Sequence, residues 1–552
     1  MKQGSILRRT WMLGGIFILG LLVRVLFLSS HPSGFTPDEA SFGYDAYSIL
    51  KTGRDQWGNF LPITLKSFGD GKMPLYAYLS IPSILIFGLS EFAVRFPNAL
   101  LGSLAIVVLF FLTKEVFKNK KLALFVSFLL AISPWHIQMS RGAFEANLTT
   151  FFLPLGAFLF LKGLRSSKLM IGSGMIFGLN LFSYHSGRLV TPLVILGMLW
   201  CYRDKLKKQS NFVVSLIVFL MFLIVAGWSY LNGAGTRVAS SSILQIIGNV
   251  GEHRYQAVMS GAPDMLARLF NNKITFFTHI FSQNYLSYFS TSFLLNQGAN
   301  EGTYGMVPGN GVIYLIEGLF LIVFLIYLVR GKLQREQYWL VFWLIVAPIP
   351  ASLAVGPGHA ANRAVVMLPA LQIILGLGGF YLYEELVKKY HYRRKIQFFY
   401  ILIMIVSFVF FLEDYFIQQR ARFANQMLYG AVDVMKYLQG QENQYDEMIV
   451  SKGLSEPHIY LAFVQRYDPR EYQLAIQKWG FEEHGVTWVD QIPEYSLGKY
   501  TFKSLGRDVF ERKENKKILI VGRGDEYAND FKTTHIVYYP NKKPAFWFVE
   551  AK

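Results

Sequence analysis

Mostly apolar stretches of membrane-spanning length recur along the first 413 residues of the chain. About 20 such residues in an α-helix cross the hydrocarbon core of a bilayer. The pattern predicts eleven transmembrane helices, near 11–29, 92–113, 121–138, 145–163, 168–184, 188–202, 212–231, 311–329, 336–354, 365–384 and 396–413. Pro74 to Leu89 is also apolar but has only 16 residues and two prolines, which predicts an interfacial or re-entrant helix on the outer side. Long polar connections remain at 30–74 and 232–309, the second holding amphipathic stretches such as Met265 to Phe281 that suit a membrane surface. Beyond Tyr415 the pattern shortens to that of a soluble domain. Ala424–Gln439 and Ile459–Arg466 read as helices; Glu447–Ser451, Lys517–Val521, His535–Tyr539 and Phe546–Glu550 read as strands. The expected architecture is a polytopic α-helical membrane domain over residues 1–415, then an extracytoplasmic α/β domain over 416–552. Neither an internal repeat nor a low-complexity tract interrupts this plan.

Composition agrees and excludes a water-soluble enzyme. The 552 residues are 53% hydrophobic and 16% charged, with a mean hydropathy of +0.31, against about 25% charged in soluble domains. Charge settles the orientation expected of the helices. The net +18 lies in the membrane region, because Lys and Arg number 19 against 20 Asp and Glu from Glu413 onward. Twenty-two basic residues fall in six short clusters: Lys2/Arg8/Arg9, Lys114–Lys121, Lys162–Lys168, Arg203–Lys208, Arg330–Arg335 and Lys388–Lys395. Short basic loops between apolar helices mark cytoplasmic loops rather than a nucleic-acid surface. This predicts a multi-pass plasma-membrane protein with its N-terminus inside and its C-terminal domain outside. The first helix resembles a signal peptide, but Arg24 interrupts it and no small-residue cleavage site follows, so an uncleaved helix is expected. Cys201 is the one cysteine, which excludes an intrachain disulfide and a cysteine metal cage.

Candidate chemistry concentrates in the first outward loop, which reads Gly34-Phe-Thr-Pro-Asp38-Glu39-Ala40 and then Ser41-Phe-Gly-Tyr44-Asp45. A carboxylate at a membrane surface can take a proton from an incoming hydroxyl or amine. Asp38 also suits a helix N-cap. Downstream, Phe68-Gly-Asp-Gly-Lys72-Met73-Pro74 places a lysine where it can meet a phosphate or anchor at headgroups; Met73 after Gly-Lys and the upstream glycine spacing exclude a P-loop. Arg95 opens the second predicted span and can snorkel to headgroups. Arg141 and Glu145 are spaced i,i+4 and are expected to form a salt bridge. His185 and Arg188, and His359 and Arg363, lie in outward turns where they can bind phosphate or ordinary lipid headgroups. Asp38, Glu39 and Asp45 are the carboxylates available to a divalent metal, but the sequence has no H-E-x-x-H motif. Glu252-His253 reads as a solvated surface pair.

Taken in order, Asp38-Glu39-Ala40, Lys72-Met73-Pro74-Leu75, Arg95-Phe-Pro-Asn-Ala-Leu100, Ser140-Arg141 with Glu145, and Tyr184-His-Ser-Gly-Arg188 resemble the GT-C superfamily of membrane glycosyltransferases. The similarity is to the branch of protein O-mannosyltransferases and the lipid A aminoarabinose transferase. It covers roughly the first 200 residues, with a weaker echo in Pro348-Ile-Pro-Ala351 and His359–Leu371. The resemblance implies Asp38 as catalytic base, Glu39 as the acid that orients base or acceptor, and Lys72 near the donor phosphate, with Met73 where members have proline. Arg95, Arg188 and Arg363 are implied phosphate ligands, supported by Arg141, Glu145, His185 and His359.

The implied reaction is transfer of a single hexosyl or pentosyl unit from a polyprenyl-phosphate carrier to an extracytoplasmic protein, lipid or glycan. Nucleotide sugars are cytoplasmic, so a donor used on the outer side has to arrive on a lipid. Phosphate leaves well when cations meet its developing charge, which makes a metal optional. The alternative class is a transporter or flippase for a lipid-linked or polar substrate, although the paired halves common in transporters are not evident.

Overall fold

A computed structural model describes residues 2–207, 209, 211–299, 301–304, 306–307, 309–355, 360–506, 509, 516–527 and 533–550, with side chains of 2–10 and 247 left undescribed. The membrane region begins with α1 (Lys2–Val25), α2 (Pro37–Thr52), a small hairpin of β1 (Leu65–Lys66) and β2 (Gly71–Lys72), α3 (Leu75–Phe87) and α4 (Glu91–Phe117). It continues through α5 (Lys120–Ile132), α6 (Pro134–Arg141), α7 (Thr149–Gly163), α8 (Ser167–Asn180), α9 (His185–Leu206) and α10 (Phe212–Ser229). The second long connection holds α11 (Gly235–Ser240), α12 (Val250–Met259), α13 (Asp264–Phe270) and α14 (Lys273–Ser287). After it come α15 (Leu315–Val329), α16 (Tyr338–Val346), α17 (Ile349–Ser352), α18 (Ala361–Ala364), α19 (Leu368–Tyr390), α20 (Arg393–Glu413) and α21 (Gln419–Arg422).

Each of the eleven predicted spans meets a helix, but not every helix has full spanning length. Among the described residues, five are long and apolar enough to cross a membrane, or six if the pair α5–α6, bent by 55°, is one span. The segment read as interfacial or re-entrant is α3, a short apolar helix like those at Trp11–Val25 and Leu315–Val329. Pro134 accounts for the α5–α6 bend, because it opens α6 as a first-turn residue and cannot continue α5. Arg24 closes the break from α1. Its guanidinium donates to the carbonyls of Leu130 and Ala131 at 3.0 Å each and meets His136 Nδ1 at 2.8 Å. In the second long connection, α13 and α14 expose Met265, Leu266, Leu269, Phe270 and Ile274, the apolar face expected of surface helices.

Four of the six basic clusters, those at 114–121, 162–168, 203–208 and 330–335, meet at one end of the bundle. Glu115 pairs with Lys162 at 2.9 Å and Arg165 at 3.8 Å, while Asp204 pairs with Arg335 at 2.8 Å and Lys205 with Glu336 at 3.3 Å. A cavity of about 280 Å³ there is lined jointly by Asn119, Lys332, Gln334 and Glu384. The other end of α4 lies near the C-terminal domain, where Glu91 is 3.7 Å from Lys436. A helix of 27 residues separates these ends by about 40 Å.

The C-terminal domain comprises α22 (Ala431–Gln441), β3 (Glu447–Ser451), α23 (Pro457–Gln465), α24 (Pro469–Ile476), β4 (Glu494–Leu497), β5 (Tyr500–Lys503), β6 (Ile518–Gly522), β7 (Thr533–Tyr538) and β8 (Pro544–Glu550). Its sheet has the order β4-β5-β3-β6-β8-β7. β3 runs parallel to both β5 and β6, with Ile449 beside Thr501 and Ile520, and the remaining pairs are antiparallel. The five residues of β6 are all buried, as an apolar run flanked by strands on both sides requires.

This domain is docked on the first long connection, between α1 and α3. Apolar residues of α2, α3, α22, α23 and the sheet form one continuous buried cluster. Tyr460 donates from its hydroxyl to the Phe35 carbonyl at 2.7 Å, Tyr44 to that of Tyr467 at 3.0 Å, and the Val489 amide to that of Phe68 at 2.8 Å. A Cβ on Gly43 would lie 2.5 Å from Val94 and 2.8 Å from the Phe463 ring. Only a glycine lets α2 sit this close to both α4 and the domain.

Candidate active site

The start of α2 sets the geometry of the acidic pair. Thr36, not Asp38, is the N-cap: its side chain accepts from the Glu39 amide at 3.3 Å while Glu39 Oε2 accepts from the Thr36 amide at 3.0 Å. Pro37 at the first helical position pre-sets the turn. Asp38 therefore lies in the first turn with its side chain released from capping. It is half-buried, and among the described residues its carboxylate accepts no hydrogen bond.

Glu39 is fully buried and saturated. Oε1 accepts from Arg95 Nε at 2.8 Å and from the Ala143 amide at 3.0 Å, while Oε2 also accepts from Arg95 Nη2 at 3.1 Å. The rest of the Arg95 guanidinium binds the carbonyls of Leu28, Pro32 and Gly34. Arg95 is thus neither a snorkelling side chain nor a cation facing the cavity. It is a buried clamp between α4, Glu39 and the loop after α1.

Lys72 is likewise committed. Its amine is 3.3 Å from Asp45, donates to Ser41 Oγ and lies 4.2 Å from the centre of the Phe42 ring, with 1% of the side chain exposed. Burial pushes Asp45 up to about 7, with Lys72 opposing. Glu39 and Asp45 therefore each face a cation, and with Asp38 they do not converge as a metal-ligand set. Among the described residues no group of three or more His, Cys, Asp or Glu side chains is arranged to hold a metal ion. Arg141 and Glu145 do not pair either, because Gly142 ends α6 and Glu145 starts a separate 3₁₀ turn. Arg141 instead donates to the carbonyls of Val23, Leu26 and His31 and stacks 4.8 Å from the centre of the Phe416 ring.

Three other arginines line a cavity of about 770 Å³ beside this loop: Arg188, Arg237 and Arg363. Asp70, Tyr184, His185, Ser186, Tyr304 and Trp488 share its wall, and Leu189, Val238, Leu244 and Phe277 make part of it apolar. Arg188 donates from Nη2 to Ser229 Oγ at 2.7 Å, but its Nη1 is buried without a partner, as are His185 Nδ1 and Ser186 Oγ. A buried, unpaired donor costs free energy unless a ligand or water meets it. Arg363 donates to the Val355 carbonyl at 2.9 Å. His359 lies outside the described residues.

Arg237 joins this cavity to the acidic loop. Its Nε is 3.6 Å from Asp70 at the tip of the β1–β2 hairpin, and it interacts electrostatically with Asp38 and Glu145 as well. Burial and the neighbouring Asp38 raise Asp70, with Arg237 opposing. Sequence reasoning missed Arg237 and Asp70, although both have a signal: Arg237 is a lone cation just past an apolar run, and Asp70 lies two residues before Lys72.

The C-terminal domain adds a buried acid, Glu456, at the start of α23. Its Oε2 has no hydrogen-bond partner. His458 stands 3.7 Å away, but burial pushes that imidazole down to about 3, so the pair is not ionic at neutral pH. Burial, with Asp490 and Asp38 nearby, pushes Glu456 up to about 8. A carboxyl with a raised folded pKa costs the fold little near its unfolded value, about 4.3. The cost grows as pH rises toward about 8. Glu456→Gln is therefore expected to match the parent's melting temperature at pH 5 and exceed it at pH 8.5; parallel curves at both would sink the assignment.

Known proteins are similar to the chain in part of its sequence and in its fold. Residues 71–228 match the family described as dolichyl-phosphate-mannose-protein mannosyltransferase. A 162-residue stretch is 27% identical to YkcB of Bacillus subtilis (strain 168), whose mannosyltransferase name is provisional. That alignment takes in 29% of this chain and 22% of YkcB. The solved structure of ArnT from Cupriavidus metallidurans bound to undecaprenyl phosphate superposes with a TM-score of 0.54 at 12% identity, over 100% of this chain and 99% of that one. Its apo form gives 0.51 at 12% identity, over 100% and 98%. The chain thus has the fold of ArnT along its whole length, and a sequence match to the mannosyltransferase family over residues 71–228.

Proposed function

We propose that the chain transfers a single sugar from a polyprenyl-phosphate carrier to an extracytoplasmic acceptor, with Asp38 as the base. The observation that carries this reading is the cavity in which Arg188, Arg237 and Arg363 converge beside the carboxylates of Asp70 and, through Arg237, Asp38 and Glu145. Three half-buried arginines, of which Arg188 has an unmet buried donor, suit a phosphate, which accepts in bidentate fashion. The apolar wall of Leu189, Val238, Leu244 and Phe277 suits a lipid tail next to it. ArnT, which shares the fold, has been solved with undecaprenyl phosphate.

In the proposed step the acceptor oxygen or nitrogen attacks the anomeric carbon as the bond from that carbon to the phosphate oxygen breaks. The electron pair leaves with the lipid phosphate, whose charge the arginines meet. The acceptor proton passes to Asp38. Glu39 and Arg95 hold the loop, and Asp70 holds Arg237. The positive-inside rule favours the end where the basic clusters meet as the cytoplasmic one, and on this reading α2, the cavity and the C-terminal domain lie outside the cytoplasm.

The test is donor turnover by the full chain in lipid nanodiscs, using a panel of radiolabelled polyprenyl-phosphate sugars with membrane extract as acceptor source. Release of lipid phosphate with transfer of label supports the reading. Movement of the intact carrier across a vesicle bilayer without sugar release would mark a flippase instead.

A further inference from the structure

We propose that Trp488, from the C-terminal domain, is the stacking surface for the sugar ring of the lipid-linked donor. The proposal rests on the donor reading above and deepens it by naming what reads the sugar.

Trp488 is the C-terminal domain's contribution to the wall of the arginine-lined cavity among the described residues. It is held there by two independent contacts. The next residue, Val489, donates its amide to the Phe68 carbonyl at 2.8 Å, which fastens this segment to the hairpin of the first long connection. The indole also lies so close over Gly69 that a Cβ at that position would fall 2.3 Å from Cδ2 of the ring. Glycine at 69 is thus what lets the ring reach the cavity edge. Asp70 follows directly and holds Arg237 at 3.6 Å, so the aromatic surface adjoins the cationic end of the cavity.

A phosphate bound by the arginines carries its sugar within one ring's length. An indole is a large, rigid and partly apolar surface with a polar edge, which suits the C–H face of a pyranose or furanose ring while leaving its hydroxyls free. Trp488 is half-buried, so part of its surface is still available to a ligand. The acidic residues and arginines do not supply such a surface.

Binding of undecaprenyl phosphate and of undecaprenyl-phosphate monosaccharides (hexose, pentose and amino sugar) to the full chain in nanodiscs tests this. The parent is expected to bind at least one glycosylated lipid more tightly than the bare lipid phosphate. Trp488→Ala should weaken that glycosylated lipid about tenfold, equivalent to about 1.4 kcal/mol, and leave the bare lipid phosphate within about twofold. Trp488→Phe, which keeps a ring, should recover most of the loss and guards against a folding artefact. Equal weakening of both lipids by Trp488→Ala, or no effect on either, overturns the role of Trp488 while leaving the donor reading intact. A parent that binds the bare and the glycosylated lipids equally also overturns it. A parent that binds none of these lipids overturns the donor reading itself, and this proposal with it.

Discussion

Asp38→Asn is expected to lower the rate of sugar transfer by about 10²- to 10⁴-fold, the range that a positioned general base supplies, with donor affinity nearly unchanged. Asparagine keeps the size and place of the side chain but cannot accept the acceptor's proton. The argument for Asp38 over its neighbour is one of capacity. Glu39 spends both oxygens on Arg95, the Thr36 amide and the Ala143 amide, whereas Asp38 faces Arg237, Asp70 and Glu145 electrostatically with no protein donor on its oxygens among the described residues. Single-turnover transfer in nanodiscs is the measurement. A rate within tenfold of the parent would move the base to Glu145 or Asp70.

Arg95→Ala should do its damage through the fold. It leaves Glu39 as a buried carboxylate without its cation and frees the carbonyls of Leu28, Pro32 and Gly34. Removing one member of a buried ion pair costs about 3–5 kcal/mol. A large drop in melting temperature is expected, together with loss of activity for every donor. Glu39→Gln should be milder, because its one amide oxygen still accepts from either the Thr36 or the Ala143 amide, and Arg95 keeps its bonds to the loop carbonyls. Paired melting curves decide this. An Arg95→Ala protein that melts like the parent but fails to bind lipid phosphate would return Arg95 to the donor site.

The comparison of Arg95 and Lys72 with Arg188 shows what a sequence can and cannot tell. All three are cations at the ends of apolar segments, and nothing local separates them. Their partners do. Glu39 and Asp45, on one helix far along the chain from Arg95 and Lys72, neutralise both, and only the fold brings them together. Arg188 is left with an unmet donor in the cavity. That Asp38 stands at a helix start was legible from its immediate neighbours, Thr36 and Pro37, although the cap is Thr36 and not Asp38. Arg237 and Trp488 were not, since each reaches the site only through contacts with residues 69 and 70.

Secondary structure shows the same division. The strand at Glu447–Ser451 follows directly from a short apolar run. The hairpin of β4 and β5 escaped notice because each strand has only four residues, turning at Gly498 with φ +61°. The expected Arg141–Glu145 pair failed for a related reason: i,i+4 spacing brings side chains together only within one helix, and Gly142 ends that helix.

Arg24 also has a bearing on how the protein is made. Its carbonyl partner on Ala131 is 107 residues further along the chain, which at a synthesis rate of about 5–20 residues per second is a wait of roughly 5–20 s. During that interval Arg24, in the last turn of α1, has the Gly20 carbonyl, 2.9 Å away, as its partner within its own helix. The first helix is therefore a provisional resident of the membrane until α5 arrives. The arrival of α5, more than the apolarity of α1 itself, seats the N-terminal segment for good.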